Sequence, residues 1–120
     1  MMKNFSEIKF VPKGWGYEKW IVNKEDYCGK ILWFAKNKKC SWHFHKIKDE
    51  VFFIRTGRLK VRYGYNKDIN KCEEVVLEPG DNFHVPTGLI HQMEAIEDTE
   101  MFEFSTQHFD SDSIRVIPGD

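Results

Sequence analysis

The stretch HFHKIKDEVFFIRTG, residues 43–57, contains two histidines one residue apart, then a glutamate and a closing glycine. Side chains at alternate positions of a β-strand share one face, so His43 and His45 project side by side if this segment is extended. After a short polar turn, Glu50 would return beside them on the next antiparallel strand. Imidazole with one carboxylate suits zinc, iron, manganese, nickel or cobalt, whereas calcium and magnesium prefer oxygen ligands. The stretch therefore indicates a transition-metal site, although isolated His-x-His pairs also occur on surfaces by chance.

A second stretch, GDNFHVPTGLIH at residues 80–91, contains a turn, a short strand, a tight turn and a strand that opens with histidine. Glycine supplies a positive φ and proline presets φ at such corners. Together the two stretches resemble the motifs of the cupin superfamily, G-x5-H-x-H-x3,4-E-x6-G and G-x5-P-x-G-x2-H-x3-N. The first motif lies at about residues 37–57 and the second at about residues 80–95.

The match departs from the cupin motifs at two positions. Asn37 stands in place of the leading glycine, and asparagine still tolerates a left-handed turn. Ala95 replaces the closing asparagine, which is not a metal ligand in the family. The resemblance implies an all-β fold, a single cupin or jelly-roll β-barrel (double-stranded β-helix) over residues 1–120. It also implies one divalent transition metal as cofactor, bound inside the barrel by His43, His45, Glu50 and His91. Such a ligand set would leave one or two coordination positions for water or substrate.

Composition supports one globular domain and excludes several classes of protein. A chain of 120 residues, with 41% hydrophobic and 15% aromatic residues, can bury a core without staples. The net charge of −1 gives no reason to expect a nucleic-acid or anionic-membrane partner. Cys28, Cys40 and Cys72 form no CxxC pair, which excludes a thiolate zinc ribbon. The odd number of thiols, and the lack of a signal-like or membrane-spanning apolar run, predict a cytoplasmic protein.

Short β-like runs alternate with turn signals along the chain, which favours a sandwich or closed barrel. Nine strands are predicted, at residues 17–22, 30–35, 41–45, 50–56, 58–65, 73–77, 82–85, 90–95 and 100–105. Alternation within residues 59–63 places Leu59, Val61 and Tyr63 on the inner face. The polar tail, residues 110–120, either stays loose or folds back over one end of the barrel.

The strand that carries the two histidines raises a question about its outer face. If His43 and His45 point into the barrel, Trp42 and Phe44 point outward, and exposed aromatics of this size need cover. Either a second copy of the chain or the long N-terminal segment would supply that cover. The prediction favours a second copy and therefore a homodimer.

Two terminal stretches resemble the cupin domain of type II mannose-6-phosphate isomerases. PKGWGYE, residues 12–18, is similar to the P-W-G-x-Y/E segment that opens that domain. FEFSTQH, residues 102–108, followed by Asp110, Asp112, Ile114 and Arg115, is similar to its closing strand and D-D-I-V-R segment, with the second acidic residue displaced. The resemblance implies a metal-dependent isomerase whose small-molecule ligand is a sugar derivative.

Aldose–ketose isomerisation needs a Lewis acid and a base that moves a proton between adjacent carbons. The candidate bases are Glu18, Glu103, His84 and His108. Either Glu103 or its neighbours Phe102 and Phe104 face inward, and the favoured alternative places the two phenylalanines in the core. Lys30 and Arg115 could pair with a phosphate or carboxylate, although a solvated surface charge is the default for both. The predicted catalytic residues are His84, Glu103, Lys30 and Arg115.

Two other functions stay open at this stage. An iron-dependent dioxygenase acting on a small molecule would require iron and consume oxygen, whereas isomerisation needs neither. A non-enzymatic metal or small-molecule binding module fits the small size and the absence of an unmistakable catalytic base. At most one of Trp15, Trp20 and Trp33 is expected to stack on a sugar ring, because most tryptophans in a small barrel are core residues.

Overall fold

The computed structural model describes residues 4–120, which form eleven β-strands and two short 3-10 turns. The strands are β1 (Lys9–Lys13), β2 (Gly16–Asn23), β3 (Cys28–Phe34), β4 (Trp42–Phe44), β5 (Glu50–Thr56), β6 (Leu59–Gly64), β7 (Glu73–Leu77), β8 (Asn82–Val85), β9 (Ile90–Ala95), β10 (Thr99–Ser105) and β11 (Ile114–Ile117). The 3-10 turns are Ile69–Lys71 and Asp110–Asp112. The described residues contain no α-helix, and none of their helical turns is long and apolar enough to cross a membrane.

The strands form two antiparallel sheets. The six-stranded sheet has the order β1-β2-β3-β10-β5-β8, and the five-stranded sheet has the order β11-β4-β9-β6-β7. Between β3 and β10 the chain crosses repeatedly from one sheet to the other, which is the jelly-roll arrangement. The predicted all-β fold is confirmed. Of the single domain predicted over residues 1–120, residues 1–3 lie outside the described part.

All nine predicted strands are present, with ends that differ by at most two residues, and β1 and β11 were not predicted. β1 contains Pro12 and lies at the edge of the six-stranded sheet, where a missing N–H costs no ladder hydrogen bond. β11 pairs with β4 at the edge of the other sheet. The tail therefore folds back onto the barrel, which is one of the two predicted alternatives.

The inner strand faces are apolar at one end of the barrel and polar at the other. Along β3 the inward side chains run from Lys30 to Phe34, and along β5 they run from Glu50 to Ile54. The apolar ends form the core with Leu59, Val61, Met93 and Met101. The polar ends surround a cavity of about 550 Å³.

Trp42 and Phe44 do not line the cavity, but neither needs a partner to cover it. Trp42 is fully buried, and its indole Nε1–H donates to Lys67 O at 2.9 Å in the loop between β6 and β7. Phe44 is half-buried and lies opposite Ile114 of β11. Within the described residues the β6–β7 loop covers Trp42, and β11 pairs with β4 beside Phe44, so the cover within the chain does not come from the predicted N-terminal segment.

Candidate metal centre

Three histidines meet at the polar end of the barrel. His43 on β4 lies opposite His91 on β9 in the strand register, and His45 follows directly after β4. One ring nitrogen of each histidine lies within 4.8 Å of the other two. Three imidazole nitrogens at this separation can bind one metal ion together.

The main chain orients all three rings in the same way. In each ring, Nδ1 lies within hydrogen-bonding distance of a main-chain carbonyl. The acceptors are Ser41 O for His43 at 2.8 Å, Asp112 O for His45 at 3.0 Å and Leu89 O for His91 at 2.9 Å. A carbonyl oxygen only accepts, so each Nδ1 carries a proton, and in the neutral form of each ring the lone pair is on Nε2. Metal-binding histidines are typically held by such hydrogen bonds.

Glu50, the first residue of β5, adds a carboxylate to the three rings. Its Oε2 lies 3.1 Å from His45 Nε2 and 3.7 Å from His91 Nε2. Glu50 Oε2 and His91 Nε2 are buried without a hydrogen-bond partner among the described residues. Leaving a buried polar atom unsatisfied costs about 1–3 kcal/mol. Two such atoms directed at each other indicate that this site is built to hold a cation.

The protonation states also fit a metal centre. Burial lowers the pKa of His91 to about 3. Burial, followed by the charges of His91 and His45, holds the pKa of His43 well below its ordinary value. Burial and the charge of Glu103 raise the pKa of Glu50, and a bound divalent cation would act in the opposite direction. The low pKa values of His43 and His91 keep these two rings neutral at pH 7, and neutral imidazole beside a carboxylate suits a divalent transition metal.

A row of charged side chains continues from the metal ligands along the cavity wall. Lys48 Nζ lies 3.1 Å from Glu103 Oε2 and 3.8 Å from Glu50 Oε1. Lys30 Nζ lies 4.0 Å from the same oxygen of Glu103 and 3.4 Å from Glu18 Oε1. We call Glu18, Lys30, Glu103 and Lys48 the charge chain. Its signs alternate, so each buried ion has a neighbour of opposite charge.

Two members of the charge chain, Glu103 and Lys48, are fixed ions. Burial alone would raise the pKa of Glu103, but Lys48 and Lys30 outweigh it and hold this pKa at about 2. Burial alone would lower the pKa of Lys48, but Glu103 and Glu50 raise it above its ordinary value. Both groups therefore stay ionised at neutral pH and contribute charge rather than proton transfer.

His108 lies at the side of the cavity with both ring nitrogens occupied. Its Nδ1 lies 3.2 Å from Lys48 Nζ, which can only donate, and its Nε2–H donates to Asp110 Oδ1 at 3.0 Å. Burial, followed by the charges of Lys30 and Lys48, lowers the pKa of His108. The ring is therefore neutral at pH 7 and has no free lone pair.

The cupin domain family matches residues 31–105, which is more than half of the chain. The chain belongs to the cupin family. The matched segment includes all four metal-ligand candidates and two members of the charge chain, Lys48, which contacts Glu50, and Glu103, which contacts Lys48. This cupin thus carries a three-histidine site that could hold a metal ion.

Solved structures similar to this cupin share its fold. KdgF from Halomonas sp. has a TM-score of 0.72 at 20% identity, covering 88% of this chain and 92% of KdgF. CapF, a capsular polysaccharide assembling protein from Staphylococcus aureus, has a TM-score of 0.80 at 16% identity, covering 93% and 32%. Oxalate decarboxylase from Bacillus subtilis has a TM-score of 0.79 at 18% identity, covering 92% and 30%. At these identities the likeness shows the fold alone.

A curated relative is much longer than this cupin. JmjC domain-containing histone demethylation protein 1 from Caenorhabditis elegans is 29% identical over 92 residues, which cover 72% of this chain and 8% of that protein. The chain thus spans less than a tenth of its curated relatives, and about a third of CapF and of oxalate decarboxylase.

Three of the four predicted catalytic residues, Lys30, Glu103 and Arg115, line the cavity of this cupin. Glu103 is buried on the inner face of β10, whereas Phe104 is 56% exposed on the outer face. The favoured prediction that Phe102 and Phe104 fill the core is therefore wrong. The reason is electrostatic, because Lys30 and Lys48 together make burial of the Glu103 carboxylate tolerable.

His84, the fourth predicted catalytic residue, does not line the cavity. Val85 is buried on the inner face of β8, so alternation turns His84 outward. Its Nε2 lies 3.0 Å from Asp49 Oδ1, and both side chains are exposed. The predicted catalytic role of His84 is thus replaced by a surface contact with Asp49.

Of the three tryptophans considered for stacking on a sugar ring, Trp20 lies closest to the charge chain. Its Nε1–H donates to Glu18 Oε1 at 2.8 Å, and Lys30 Nζ lies 4.3 Å from its ring centre. Trp15 is buried in the core, and Trp33 lies on the outer face of β3. Trp20 therefore positions charged groups and is not an open platform for a sugar ring.

Two residues of the site were not predicted from the sequence, Lys48 and Asp112. The Asp112 carboxylate accepts hydrogen bonds from the N–H groups of Lys46, Ile47 and Lys48 at 2.8, 3.0 and 2.9 Å. These bonds pin the turn that carries Lys48 into the cavity. The signal for Asp112 was the displaced acidic residue in the tail, whereas a lysine in a polar turn gave no signal at all.

Proposed function

We propose that this cupin is a metal-dependent isomerase of a sugar or sugar phosphate, similar to the mannose-6-phosphate isomerases, and that it acts on a carbohydrate derivative. Its cofactor would be one divalent transition metal, held by His43, His45, Glu50 and His91. The observation that carries the proposal is that these donors and the charge chain line the same cavity of about 550 Å³. A cavity of this size holds a monosaccharide derivative.

The bound metal would polarise a carbonyl or hydroxyl oxygen of the substrate. The base must then come from the cavity wall. Glu103 is a weak base because its pKa is held at about 2, and His108 has both ring nitrogens occupied. Glu18 keeps the best access, because 13% of its side chain is exposed and its Oε1 is oriented by Trp20 and Lys30. We therefore assign the proton transfer to Glu18.

The charge chain would hold this base in place. Lys30 Nζ contacts Glu18 Oε1, and Glu103 holds Lys30 and Lys48 on its two sides. Removal of Glu103 would leave two buried ammonium groups without their shared partner. We expect such a change to displace Glu18 as well as to destabilise the barrel.

The proposal is tested with protein purified without a nickel column and loaded in turn with zinc, manganese, iron, nickel or cobalt. Aldose and ketose sugars and their phosphates are incubated with it in D₂O, and proton NMR follows interconversion and deuterium entry at the carbon next to the carbonyl. We expect turnover that is abolished in His91→Ala and reduced at least about 100-fold in Glu18→Gln. His84→Ala serves as the matched control, because His84 lies outside the cavity.

The same samples distinguish the alternative functions. Oxygen consumption that requires iron, without isomerisation, would indicate a dioxygenase. Metal and ligand binding without any turnover across the panel would indicate a binding module. Either result would contradict the isomerase proposal.

We also propose a homodimer, formed through the outer face of the six-stranded sheet. This aromatic face consists of Phe10, Tyr17, Trp33, Phe53, Phe102 and Phe104. Six strands spaced about 4.8 Å apart make a face about 25 Å wide. Arg55 and Glu100 on this face pair with each other at 3.3 Å, so they would not repel a second copy. The cytoplasmic location and the lack of a nucleic-acid partner stay predictions.

A further inference from the structure

Arg115 lies beside the metal centre on the edge strand β11. In the pairing of β11 with β4, Arg115 is directly opposite His43. Residues directly opposite each other in an antiparallel pair project on the same face, with their Cβ atoms about 5 Å apart. The Arg115 side chain therefore points toward the same cavity as the His43 ring, and it lines the cavity mouth.

Arg115 differs from the other cations of the cavity because it has no partner. Lys30 and Lys48 pair with carboxylates of the charge chain. Lys13 Nζ lies 4.0 Å from Glu18 Oε2, and Lys9 Nζ lies 4.6 Å from the ring centre of Trp20. Within residues 4–120, the exposed Arg115 guanidinium makes no ion pair or hydrogen bond.

The charge of the cavity also favours an anion. Its lining contains five cationic side chains, Lys9, Lys13, Lys30, Lys48 and Arg115. It also contains five carboxylates, Glu18, Glu50, Glu103, Asp110 and Asp120. The protein lining is thus balanced, and the charge of a bound divalent cation would be left without compensation. An anionic ligand would neutralise this excess, and Arg115 is the free cation at the mouth that could orient it.

We infer that Arg115 is a specificity-determining residue that binds an oxyanion, a carboxylate or a phosphate, carried by the ligand of the metal centre. The inference deepens the proposed function, because it narrows the substrate from carbohydrate derivatives in general to anionic ones. A guanidinium presents parallel N–H donors that match two oxygens of a carboxylate or phosphate. The anionic group would be bound at the mouth while a neutral part of the ligand reaches the metal ligands below.

The test measures binding, so that it does not depend on turnover. Zinc-loaded protein is titrated in a calorimeter with glucose, glucose 6-phosphate and glucuronate, which share a sugar ring and differ in charge. We expect at least one anionic sugar to bind tenfold or more tightly than glucose. In Arg115→Gln this advantage should be lost, while the zinc content and the affinity for glucose stay unchanged. Arg115→Lys should recover part of the affinity for the phosphate and less of that for the planar carboxylate.

Arg58→Gln is the matched control, because Arg58 is exposed and pairs with Glu78 away from the cavity. It should leave all three affinities unchanged. The inference is overturned if neither anionic sugar binds more tightly than glucose, or if Arg115→Gln leaves the affinity for both anionic sugars intact. Anion-selective binding without isomerisation would contradict the isomerase proposal but support the inference. Isomerisation of neutral sugars that is unchanged in Arg115→Gln would support the isomerase proposal but contradict the inference.

Discussion

The cavity histidines are oriented by main-chain carbonyls rather than by one another. Each Nδ1–H donates a hydrogen bond to one of these carbonyls, which turns the three Nε2 atoms toward one another in the folded chain. The acceptors lie on three separate elements, which are the start of β4, the 3-10 turn Asp110–Asp112 and the start of β9. The site is therefore preorganised, and metal binding should need little rearrangement of the barrel.

The first prediction concerns stabilisation by metal. A ligand that binds only the folded chain stabilises it by about 2.7 kcal/mol at a hundredfold excess over its Kd. For a domain of this size we expect zinc to raise Tm by roughly 10 °C, as measured by differential scanning fluorimetry. His91→Ala should lose this shift, because it removes a buried nitrogen that has no other partner. His84→Ala should keep it, and an equal zinc response in the two variants would contradict the four-ligand site.

The second prediction concerns Glu103 and pH. Because Lys48 and Lys30 hold the Glu103 pKa at about 2, below its ordinary 4.5, its charge stabilises the fold fully above about pH 4.5. This stabilisation is lost as the pH falls toward 2. The gap in unfolding free energy between wild type and Glu103→Gln should shrink by at most about 3 kcal/mol over that range. Urea unfolding at pH 5, 4 and 3 measures the gap.

Glu97→Gln is the control for the pH series, because Glu97 is exposed and belongs to neither the charge chain nor the metal site. The difference in unfolding free energy between Glu97→Gln and wild type should stay constant over this pH series. A gap for Glu103→Gln that is equally flat would show that Lys48 and Lys30 do not hold the Glu103 carboxylate as an ion.

At the residue scale, the sequence predicted side chains whose role follows from spacing. The His-x-His pair and its glutamate follow from strand alternation, and Asn37 indeed adopts a left-handed φ of 69°. The orientation of Glu103 could not be predicted, because alternation allows either face of β10 inward. The deciding partner, Lys48, lies 55 residues away in the chain, and only the folded barrel brings the two together.

The third prediction belongs to the turn between β5 and β6. Gly57 has a φ of 92°, and a Cβ at this position would lie 2.3 Å from Asp98 O and 2.5 Å from Thr99 Oγ1. Gly57→Ala therefore combines backbone strain with a clash against main chain. Gly88 has a similar φ of 90° but no atom within 4 Å of such a Cβ. We expect a loss of about 3 kcal/mol for Gly57→Ala and about 1 kcal/mol for Gly88→Ala in chemical unfolding. Equal losses would mean that the strain alone matters.

At the element scale, turn chemistry predicted strands well where hairpins are short. β1 and β11 escaped prediction because each is an edge strand that is stabilised mainly by the neighbour it pairs with. Pro12 interrupts the strand pattern of β1. β11 has only four residues, three of them apolar, and it follows a run of polar residues. Yet these two strands supply Lys9, Lys13 and Arg115 to the cavity mouth. The two strands that the sequence did not predict thus supply the side chains at the place where the ligand would be selected.

At the scale of the whole molecule, the aromatic face is the largest feature that the cavity does not explain. Phe10 and Phe104 are 57% and 56% exposed; the Phe10 ring lies 5.2 Å from the Tyr17 ring, and the Phe104 ring lies 6.3 Å from the Phe102 ring. Exposed aromatic side chains grouped on one face are typical of a protein–protein interface. The aromatic face lies on the outside of the six-stranded sheet, so covering it would leave the cavity mouth open.

The last prediction follows from this arrangement. Wild-type protein should elute as a dimer in size-exclusion chromatography with multi-angle light scattering at micromolar concentration. Phe104→Glu places a charge on each of the two facing sheets and should shift the protein to monomer, because buried unpaired charges of like sign repel each other. Tyr65→Glu is the control, since Tyr65 is 70% exposed in the β6–β7 loop, away from the aromatic face. Zinc binding should survive in both variants, because neither position lines the cavity. A wild type that is monomeric at every concentration would refute the dimer, and a Phe104→Glu variant that stays dimeric would place the interface on another surface.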